Sequence, residues 1–227
     1  MSELNEVIEV HSIDRKNYKQ YIGKTVKVTG DVDLSGLGWV SLPINFTEVG
    51  GDFDCSYNAM TTLKGAPVTV GGDFFCSNNE LTSLEGAPET VGRDFWCFVN
   101  ELTTLEGAPK YVGREFTCSY NKLTTLEGSP EFCLGTFNCS DNELLILKGA
   151  PVTVGGDFFC QFNQLSSLEW APRIVRGSFY CKYNRLTDLK GSPEIVGENF
   201  DCRNNPIQSI VGKPIRIGGK FFEVKLI

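Results

Sequence analysis

The sequence predicts a mainly β protein, a parallel β-solenoid in which each coil contributes one short strand. Eight cysteines recur at intervals of 21 residues from Cys55 to Cys202 without one insertion, and the other apolar columns keep the same step. Each interval also contains Gly and Pro, which exclude a regular helix between the columns. Because no coil of this length can bury its apolar face alone, the repeat indicates coils that stack on one another.

The repeating unit reads F-x-C-x-x-N-x-L-x-x-L. Phe stands two residues before each of these cysteines, Asn three residues after, and an aliphatic residue five and eight residues after. The alternation in Phe74-Phe75-Cys76 places Phe74 and Cys76 on the inner side of a strand and Phe75 on the outer side. We therefore expect strands stacked about 4.8 Å apart. Irregular or 3-10 turns would form the opposite side of each coil, with modest curvature.

This unit matches the leucine-rich repeat pattern L-x-L-x-x-N-x-L, with Phe and Cys in place of the two strand leucines. The chain resembles the leucine-rich repeat family over residues 49–216, and in detail it is similar to the short, Gly- and Pro-punctuated repeats of bacterial and tailed-phage proteins. The resemblance implies a parallel solenoid and a role in binding other proteins.

The same step divides the chain into three parts of a single domain. Residues 1–48 are predicted to form an N-terminal cap with a degenerate first coil, residues 49–216 eight coils, and residues 217–227 a C-terminal capping strand. Ser12 is expected to begin a short helix that runs through Ile22 and covers the N-terminal end of the core. In the last strand, Lys220, Glu223 and Lys225 would discourage edge-to-edge pairing.

Composition narrows the possible functions. The 227 residues carry a net charge of −7, which argues against general nucleic-acid binding. The single histidine, His11, excludes multi-His metal sites, and the sequence contains no phosphate-binding loop, dinucleotide fingerprint or hydrolase motif. We therefore expect no enzyme activity, no cofactor and no metal. The chain has no stretch of about 20 apolar residues that could span a membrane. It also begins without the apolar region of a secretory signal.

The repeated cysteines and asparagines are interpreted as structural. An inward cysteine behaves as a small hydrophobic residue, and no Cys-x-x-Cys pair is present for zinc. Cys133 lies in the valine column and receives the same interpretation. Unpaired thiols favour a reducing compartment, so we expect a cytoplasmic protein, in the host cytoplasm if a phage encodes it. The asparagines are expected to bond the backbone of their own and the adjoining coil.

The outward strand positions vary from coil to coil, and they are the predicted binding site. Small polar residues would satisfy the fold here, yet several coils carry aromatic rings that should face solvent on a concave sheet. Exposed apolar patches of this size usually mark an interface, and aromatic residues supply much of the energy at such interfaces. The candidate partner-binding residues are Asp52, Asp54, Tyr57, Asp73, Phe75, Asp94, Trp96, Phe98, Glu115, Tyr120, Asp157, Phe159, Phe162, Tyr180 and Tyr183.

Three interpretations of the acidic column remain open. The carboxylates of Asp52, Asp73, Asp94, Glu115 and Asp157 could accept hydrogen bonds from the glycine-rich turns, meet a basic strip on a partner, or coordinate Ca²⁺. Charge is also uneven along the chain, with a net charge of +5 over residues 173–227 and −12 over the remainder.

The sequence therefore predicts a non-enzymatic module that binds a heterologous protein through its aromatic and acidic face. A narrower hypothesis is a phage- or bacterium-encoded inhibitor that blocks a host defence protein by occlusion. The alternatives are a homo-oligomeric assembly protein that uses the same face, and a polyanion mimic. The mimic is weakened because Thr136 and Ser178 interrupt the acidic column.

Overall fold

The computed structural model describes residues 7–222, and within them the chain forms a parallel β-solenoid of about ten turns. The predicted mainly β solenoid is confirmed. In the described residues the strands form an eleven-stranded and a ten-stranded sheet, which we name the valine sheet and the phenylalanine sheet after the residues they bury. In both sheets each strand pairs in parallel with the equivalent strand of the neighbouring coils.

The strands are numbered along the chain, and all those after β4 contain two residues. The valine sheet consists of β1 (Val7–Val10), β2 (Thr25–Val28), β4 (Asn45–Val49), β6 (Thr69–Val70), β8 (Thr90–Val91), β10 (Tyr111–Val112), β12 (Phe132–Cys133), β14 (Thr153–Val154), β16 (Ile174–Val175), β18 (Ile195–Val196) and β20 (Arg216–Ile217). The phenylalanine sheet consists of β3 (Val32–Asp33), β5 (Phe53–Asp54), β7 (Phe74–Phe75), β9 (Phe95–Trp96), β11 (Phe116–Thr117), β13 (Phe137–Asn138), β15 (Phe158–Phe159), β17 (Phe179–Tyr180), β19 (Phe200–Asp201) and β21 (Phe221–Phe222).

Each coil contains the predicted strand at Phe-x-Cys and also a second short pairing at the valine column. A tight turn joins the two, and its first residue is usually glycine because successive coils approach closely there. A Cβ atom added to Gly71 would lie only 2.2 Å from the carbonyl oxygen of Gly50. The repeat therefore needs glycine at this turn for steric reasons.

The core is one continuous column of side chains between the two sheets. The inward phenylalanines stack from coil to coil, with ring centroids 5.2 Å apart for Phe53 and Phe74 and for Phe74 and Phe95. The cysteine, leucine and valine columns complete the interior, and nearly all their members are fully buried. Stacking thus buries every coil against its neighbours, as the repeat requires.

The N-terminal cap differs from the prediction. The helix expected from Ser12 through Ile22 is only a 3-10 turn at Tyr18–Tyr21. Ile13 forms a parallel β-bridge with Val32, so the chain cannot enter a helix at Ser12. The Asp14 carboxylate accepts hydrogen bonds from the amides of Lys16 and Asn17 and caps the short turn that follows. The N-terminal coil is instead completed by β1, which pairs with β2, and by the buried side chain of Ile13.

The degenerate first coil has the predicted register. Val32 pairs with Phe53, and Val28 pairs with Val49, one repeat step apart in each case. At the other end, β20 and β21 continue both sheets through Phe222. Glu223 and Lys225, which the sequence assigned to the capping strand, lie outside the described residues, so their predicted role stays a prediction.

Candidate binding face

The asparagine column fixes the corner that follows each phenylalanine-sheet strand. Asn100 is buried, and its Oδ1 accepts a hydrogen bond from the amide of Leu81 at 3.1 Å. Its Nδ2 donates to the carbonyls of Cys76 and Cys97, both at 3.1 Å. One amide side chain thus joins two coils through three backbone groups, and the same pattern recurs in the other repeats. The structural interpretation of this column is supported by these contacts.

The cysteine column is buried and suited to packing rather than reaction. The thiol of Cys97 donates to the carbonyl of Thr117 in the next coil at 3.3 Å. Burial raises the pKa of Cys97 well above its ordinary value, and the neighbouring thiols raise it further. Burial likewise raises the pKa of Cys133 to about 12. A thiol that stays protonated inside an apolar core is a poor nucleophile and a poor metal ligand.

The acidic column has a structural role that links coil to coil. Asp52 Oδ1 accepts a hydrogen bond from the amide of Asp73 at 2.8 Å, and Asp73 Oδ1 accepts one from the amide of Asp94 at 2.9 Å. Asp94 bonds the amide of Glu115, and Asp157 that of Ser178, in the same way. The carboxylates therefore do accept hydrogen bonds from the backbone, as the first of the three interpretations proposed. The bonded amide, however, belongs to the next coil and not to the preceding glycine turn. In the described residues no cluster of three His, Cys, Asp or Glu side chains could hold a metal ion.

The outward side chains of the phenylalanine sheet form the candidate site. We define the outer face as the six residues from each acidic-column position to the corner after the strand, in eight successive coils. These ranges are Asp52–Tyr57, Asp73–Asn78, Asp94–Val99, Glu115–Tyr120, Thr136–Asp141, Asp157–Phe162, Ser178–Tyr183 and Asn199–Asn204.

Two clusters of rings lie on this outer face. In the first, the centroid of Trp96 is 4.8 Å from that of Phe75 and 6.0 Å from that of Phe98. In the second, Phe159 stacks on Tyr180 at 4.8 Å, and Phe162 stacks on Tyr183 at 4.5 Å.

The rings are less exposed than the sequence suggested. The strand rings Phe75, Trp96, Phe98, Phe159 and Tyr180 point away from the core but are half-buried. They cover one another because equivalent positions of neighbouring coils are adjacent along the sheet. The expectation of rings fully open to solvent is therefore wrong for these five residues. Their outward orientation agrees with the sequence analysis.

The corner residues are the most exposed part of the outer face. Tyr57 and Tyr120 expose 66% and 60% of their surface, and Phe162 and Tyr183 expose 46% and 45%. All four adopt left-handed backbone conformations, with φ between 54° and 55°. Such conformations are unfavourable for bulky residues, whereas the asparagines found at this corner in other coils tolerate them well. The rings therefore stand at positions where the backbone would prefer a smaller polar residue.

Three buried polar atoms in or beside the ring clusters lack a hydrogen-bond partner. In the described part of the chain, the buried side-chain atoms without a hydrogen bond are Ser77 Oγ, Trp96 Nε1 and Gln161 Oε1. All three lie on the outer face, within or beside the two ring clusters. A buried polar atom without a partner costs on the order of 1–3 kcal/mol. The outer face thus carries local costs that the interior of the solenoid avoids.

Charge differs between the two ends of the outer face. The first four coils present Asp52, Asp54, Asp73, Asp94 and Glu115, whereas the last two present Lys182 and Arg203. Arg203 forms a two-point contact with Asp201, at 2.9 Å and 2.8 Å. Burial acts to raise the pKa of Asp201, but the hydrogen bonds and charge of Arg203 outweigh it and keep the pKa below its ordinary value.

The structure therefore brings the predicted residues together in part. The rings form two clusters, and Tyr57 and Tyr120 extend from the corners of the coils on either side of the first cluster. The acidic column lies along one edge of the outer face, and most of its carboxylates use one oxygen to bond an amide of the next coil. Asp54 also bonds the amide and hydroxyl of Ser56, which fixes the local turn. Asp94 is buried and has Arg114 at 3.7 Å, so it contributes least to the surface.

Sequence reasoning missed a second apolar patch, on the outer side of the valine sheet. Phe132, Leu134 and Val152 expose 58%, 56% and 70% of their surface. Leu134 occupies the turn position where most coils have glycine, and its amide bonds the Val112 carbonyl at a longer 3.3 Å. The signal that could have identified this patch is Leu134, which replaces the glycine that most coils have at this turn and follows the aromatic Phe132 closely in sequence.

Comparison with protein-family models, with curated proteins and with solved structures finds no match. The fold and the outer face therefore stand on the chain's own geometry. Within residues 7–222, no helix has the length and apolar character needed to cross a membrane.

Proposed function

We propose that this chain is a non-enzymatic protein-interaction module of the leucine-rich repeat type, and that its outer face binds a heterologous protein. One observation carries the proposal: the rings stand at positions where the fold does not need them. Thr117 and Asn138 occupy the same strand position as Trp96 and Phe159, and their strands pair in the same register. The repeat therefore contains its own comparison, in which coils without rings form the same backbone.

The energetics of binding support this role. Trp, Tyr and Phe supply large contact areas with few rotatable bonds, and such residues dominate binding energy at protein interfaces. The asparagine and aspartate ladders hold the outer face rigid before a partner arrives, so little conformational entropy is lost on binding.

The biological setting is part of the same proposal. The similarity to bacterial and phage repeat proteins supports a phage- or bacterium-encoded protein that acts in a cytoplasm. The mechanism would be steric occlusion, in which the rigid face covers a surface that the partner needs for its own activity. Occlusion needs no catalytic group in the binding protein.

The test exchanges rings for the residues that neighbouring coils carry. In the variant W96T/F98S, Thr and Ser replace the rings, as at Thr117 and Ser119 of the next coil. The matched control F132T/L134G replaces two residues of the valine-sheet patch with those of the following coil, Thr153 and Gly155. Each variant and the wild-type chain would be immobilised and exposed to lysate, and the captured proteins would be identified.

We expect the wild-type chain and F132T/L134G to retain the same partner and W96T/F98S to lose it. Thermal unfolding of the variants shows whether the fold is intact, and we expect W96T/F98S to keep a cooperative transition. Capture by W96T/F98S at the wild-type level would overturn the outer face as the site. Loss only in F132T/L134G would move the site to the valine sheet.

A second candidate function is self-association through the outer face, favoured by its distribution of charge. The polyanion mimic has less support, since one oxygen of most acidic-column carboxylates already holds a backbone amide.

A further inference from the structure

We propose that a second copy of this chain is a partner of the outer face, and that the two copies pack face to face with their coils in opposite order. The two-fold axis would run along the strand direction, between Thr117 and Asn138. This inference deepens the second candidate function, self-association through the outer face, and it rests on the proposal that the outer face binds protein. It adds a specific arrangement of the two copies.

The rings are placed symmetrically about that axis. Thr117 and Asn138 are in adjacent coils and separate the two ring clusters along the sheet. Moving one coil outward from them reaches Trp96 on one side and Phe159 on the other, and a second step reaches Phe75 and Tyr180. In the antiparallel pair each ring cluster would therefore face the other cluster of the second copy, as a self-complementary two-fold interface requires.

Charge is complementary in the same arrangement. The coil that carries Lys182 would face the coil that carries Asp73 and Ser77, and the coil of Arg203 would face that of Asp52 and Asp54. Arg203 uses Nε and one terminal nitrogen on Asp201, so its guanidinium retains further donors. Symmetry repeats each contact twice. Complementary potentials of this kind fix the orientation of an interface more than its strength.

The opposite arrangement would place like charges together. If the two copies ran in the same direction, each coil would face its own equivalent, and the acidic coils would meet acidic coils. The antiparallel arrangement places two acidic pairs opposite each other, Asp94 with Asp157 near the axis and Asp54 with Asp201 farther out, and Asp201 is already paired with Arg203. Asp94 is buried and lies beside Arg114, which reduces the repulsion. Charge therefore selects the antiparallel pair.

The outer face is large enough for such a contact. Eight coils spaced about 4.8 Å apart give a length of roughly 34 Å, and six extended residues give a width of up to about 20 Å. The product of about 670 Å² lies in the lower part of the range of roughly 600–1,000 Å² per partner for a standard interface. Because part of that width is turn, we expect a reversible dimer with a dissociation constant in the micromolar range.

The test is a charge exchange across the proposed interface, read by sedimentation over a concentration series. S77K places a lysine opposite Lys182, and the fold accepts it because Lys182 and Arg203 occupy the same column. K182E places a carboxylate opposite Ser77, in the coil that also carries Asp73. The double variant S77K/K182E restores opposite charges in the antiparallel pair alone. T153K, on the valine sheet, is the matched control for added charge.

We expect the wild-type chain and T153K to dimerise equally, S77K to weaken dimerisation about tenfold, K182E to weaken it less because Asp73 lies four residues along the strand, and the double variant to recover to within about threefold. A wild-type chain that stays monomeric throughout overturns the second copy as partner, whereas the ring-dependent capture described above would still stand. Weakening by S77K without recovery in the double variant overturns the antiparallel arrangement. Dimerisation that responds only to T153K places the interface on the valine sheet and overturns the proposal.

Discussion

The inward and outward positions of one strand differ in how strictly their residue type is constrained. In β9, Phe95 points inward and stacks between Phe74 and Phe116, at 5.2 Å and 5.6 Å, in a column that is phenylalanine in every coil from 53 to 221. Its neighbour Trp96 points outward, where adjacent coils have phenylalanine and threonine. The inner side is fixed because each residue must match the coil above and below. The outer side has no such constraint and is free to serve a partner.

Hydrogen bonding shows the same difference. Asparagine oxygens at the corners and aspartate oxygens at the strand starts accept hydrogen bonds from amides of adjoining coils, so these polar atoms have partners. On the outer face, Ser77, Trp96 and Gln161 each leave a buried atom without a partner. A fold that satisfies its interior this closely and leaves these atoms unsatisfied is consistent with selection for something other than stability at the outer face.

The largest expected effect concerns the inner thiols and pH. Burial raises the pKa of eight cysteines above the ordinary value, namely Cys55, Cys76, Cys97, Cys118, Cys133, Cys139, Cys160 and Cys181. In the unfolded chain these thiols ionise above about pH 8.5, whereas in the folded chain they stay protonated. The unfolded state therefore loses protons first, and stability falls as pH rises. Each thiol lowers the free energy of unfolding by at most about 1.4 kcal/mol per pH unit, a slope that is reached only when the unfolded thiols are fully ionised, and the contributions of the eight thiols add.

Chemical denaturation at pH 7.5, 8.5 and 9.5 measures this loss. We expect a sharp fall in the unfolding midpoint above pH 8.5, since a total stability of about 5–15 kcal/mol is typical of folded domains. The variant C118A/C139A should be less stable at pH 7.5 but should lose about a quarter less free energy per pH unit. An unchanged slope in that variant would mean that the inner thiols do not carry the effect.

The next effect tests whether the ladders, rather than the rings, hold the coils together. Asn121 is buried and bonds the amide of Leu102 and the carbonyls of Cys97 and Cys118. N121A should lower the free energy of unfolding by about 3 kcal/mol, because it leaves buried backbone groups without partners.

The matched outward change is N138T, which copies Thr117 and removes one hydrogen bond, from the Ser140 amide to Asn138 Oδ1 at 3.0 Å, so it should cost about 1 kcal/mol. Urea unfolding of the two variants side by side gives the comparison. Equal losses would show that the outer face contributes to stability as much as the ladder does.

The sequence predicted most of the features that recur in every coil. The period fixed the register, so that even the degenerate pairing of Val32 with Phe53 followed from subtraction of one step. The inward position of Phe74 and Cys76 followed from alternation. The short pairing of the valine sheet was not predicted, because two residues such as Thr69–Val70 carry no alternation from which a strand can be recognised.

What the sequence did not predict depends on contacts between coils. The partner of each aspartate is the amide one coil later, for example Asp73 for Asp52, and no local pattern reveals it. The helix expected after Ser12 does not form because Ile13 is held in a β-bridge with Val32, a contact between coils. The mutual covering of Phe75 and Trp96 also required the stacked structure, since strand alternation predicted only that these rings point outward.

The smallest effect concerns the corner after the strand, where the comparison between inner and outer sides is closest. Val99 has a φ of 53° and exposes 42% of its surface, while the equivalent corners of other coils include Asn78 and Asn204. A β-branched residue in the left-handed region is strained by roughly 1 kcal/mol, and asparagine tolerates it. V99N should therefore raise the free energy of unfolding by about 1 kcal/mol, since little buried apolar surface is lost. N78V, the reverse change one coil earlier, should lower it by a similar amount, and urea unfolding measures both. If V99N instead destabilised the chain, Val99 would be held by packing, and its corner would belong with the inner side of the solenoid.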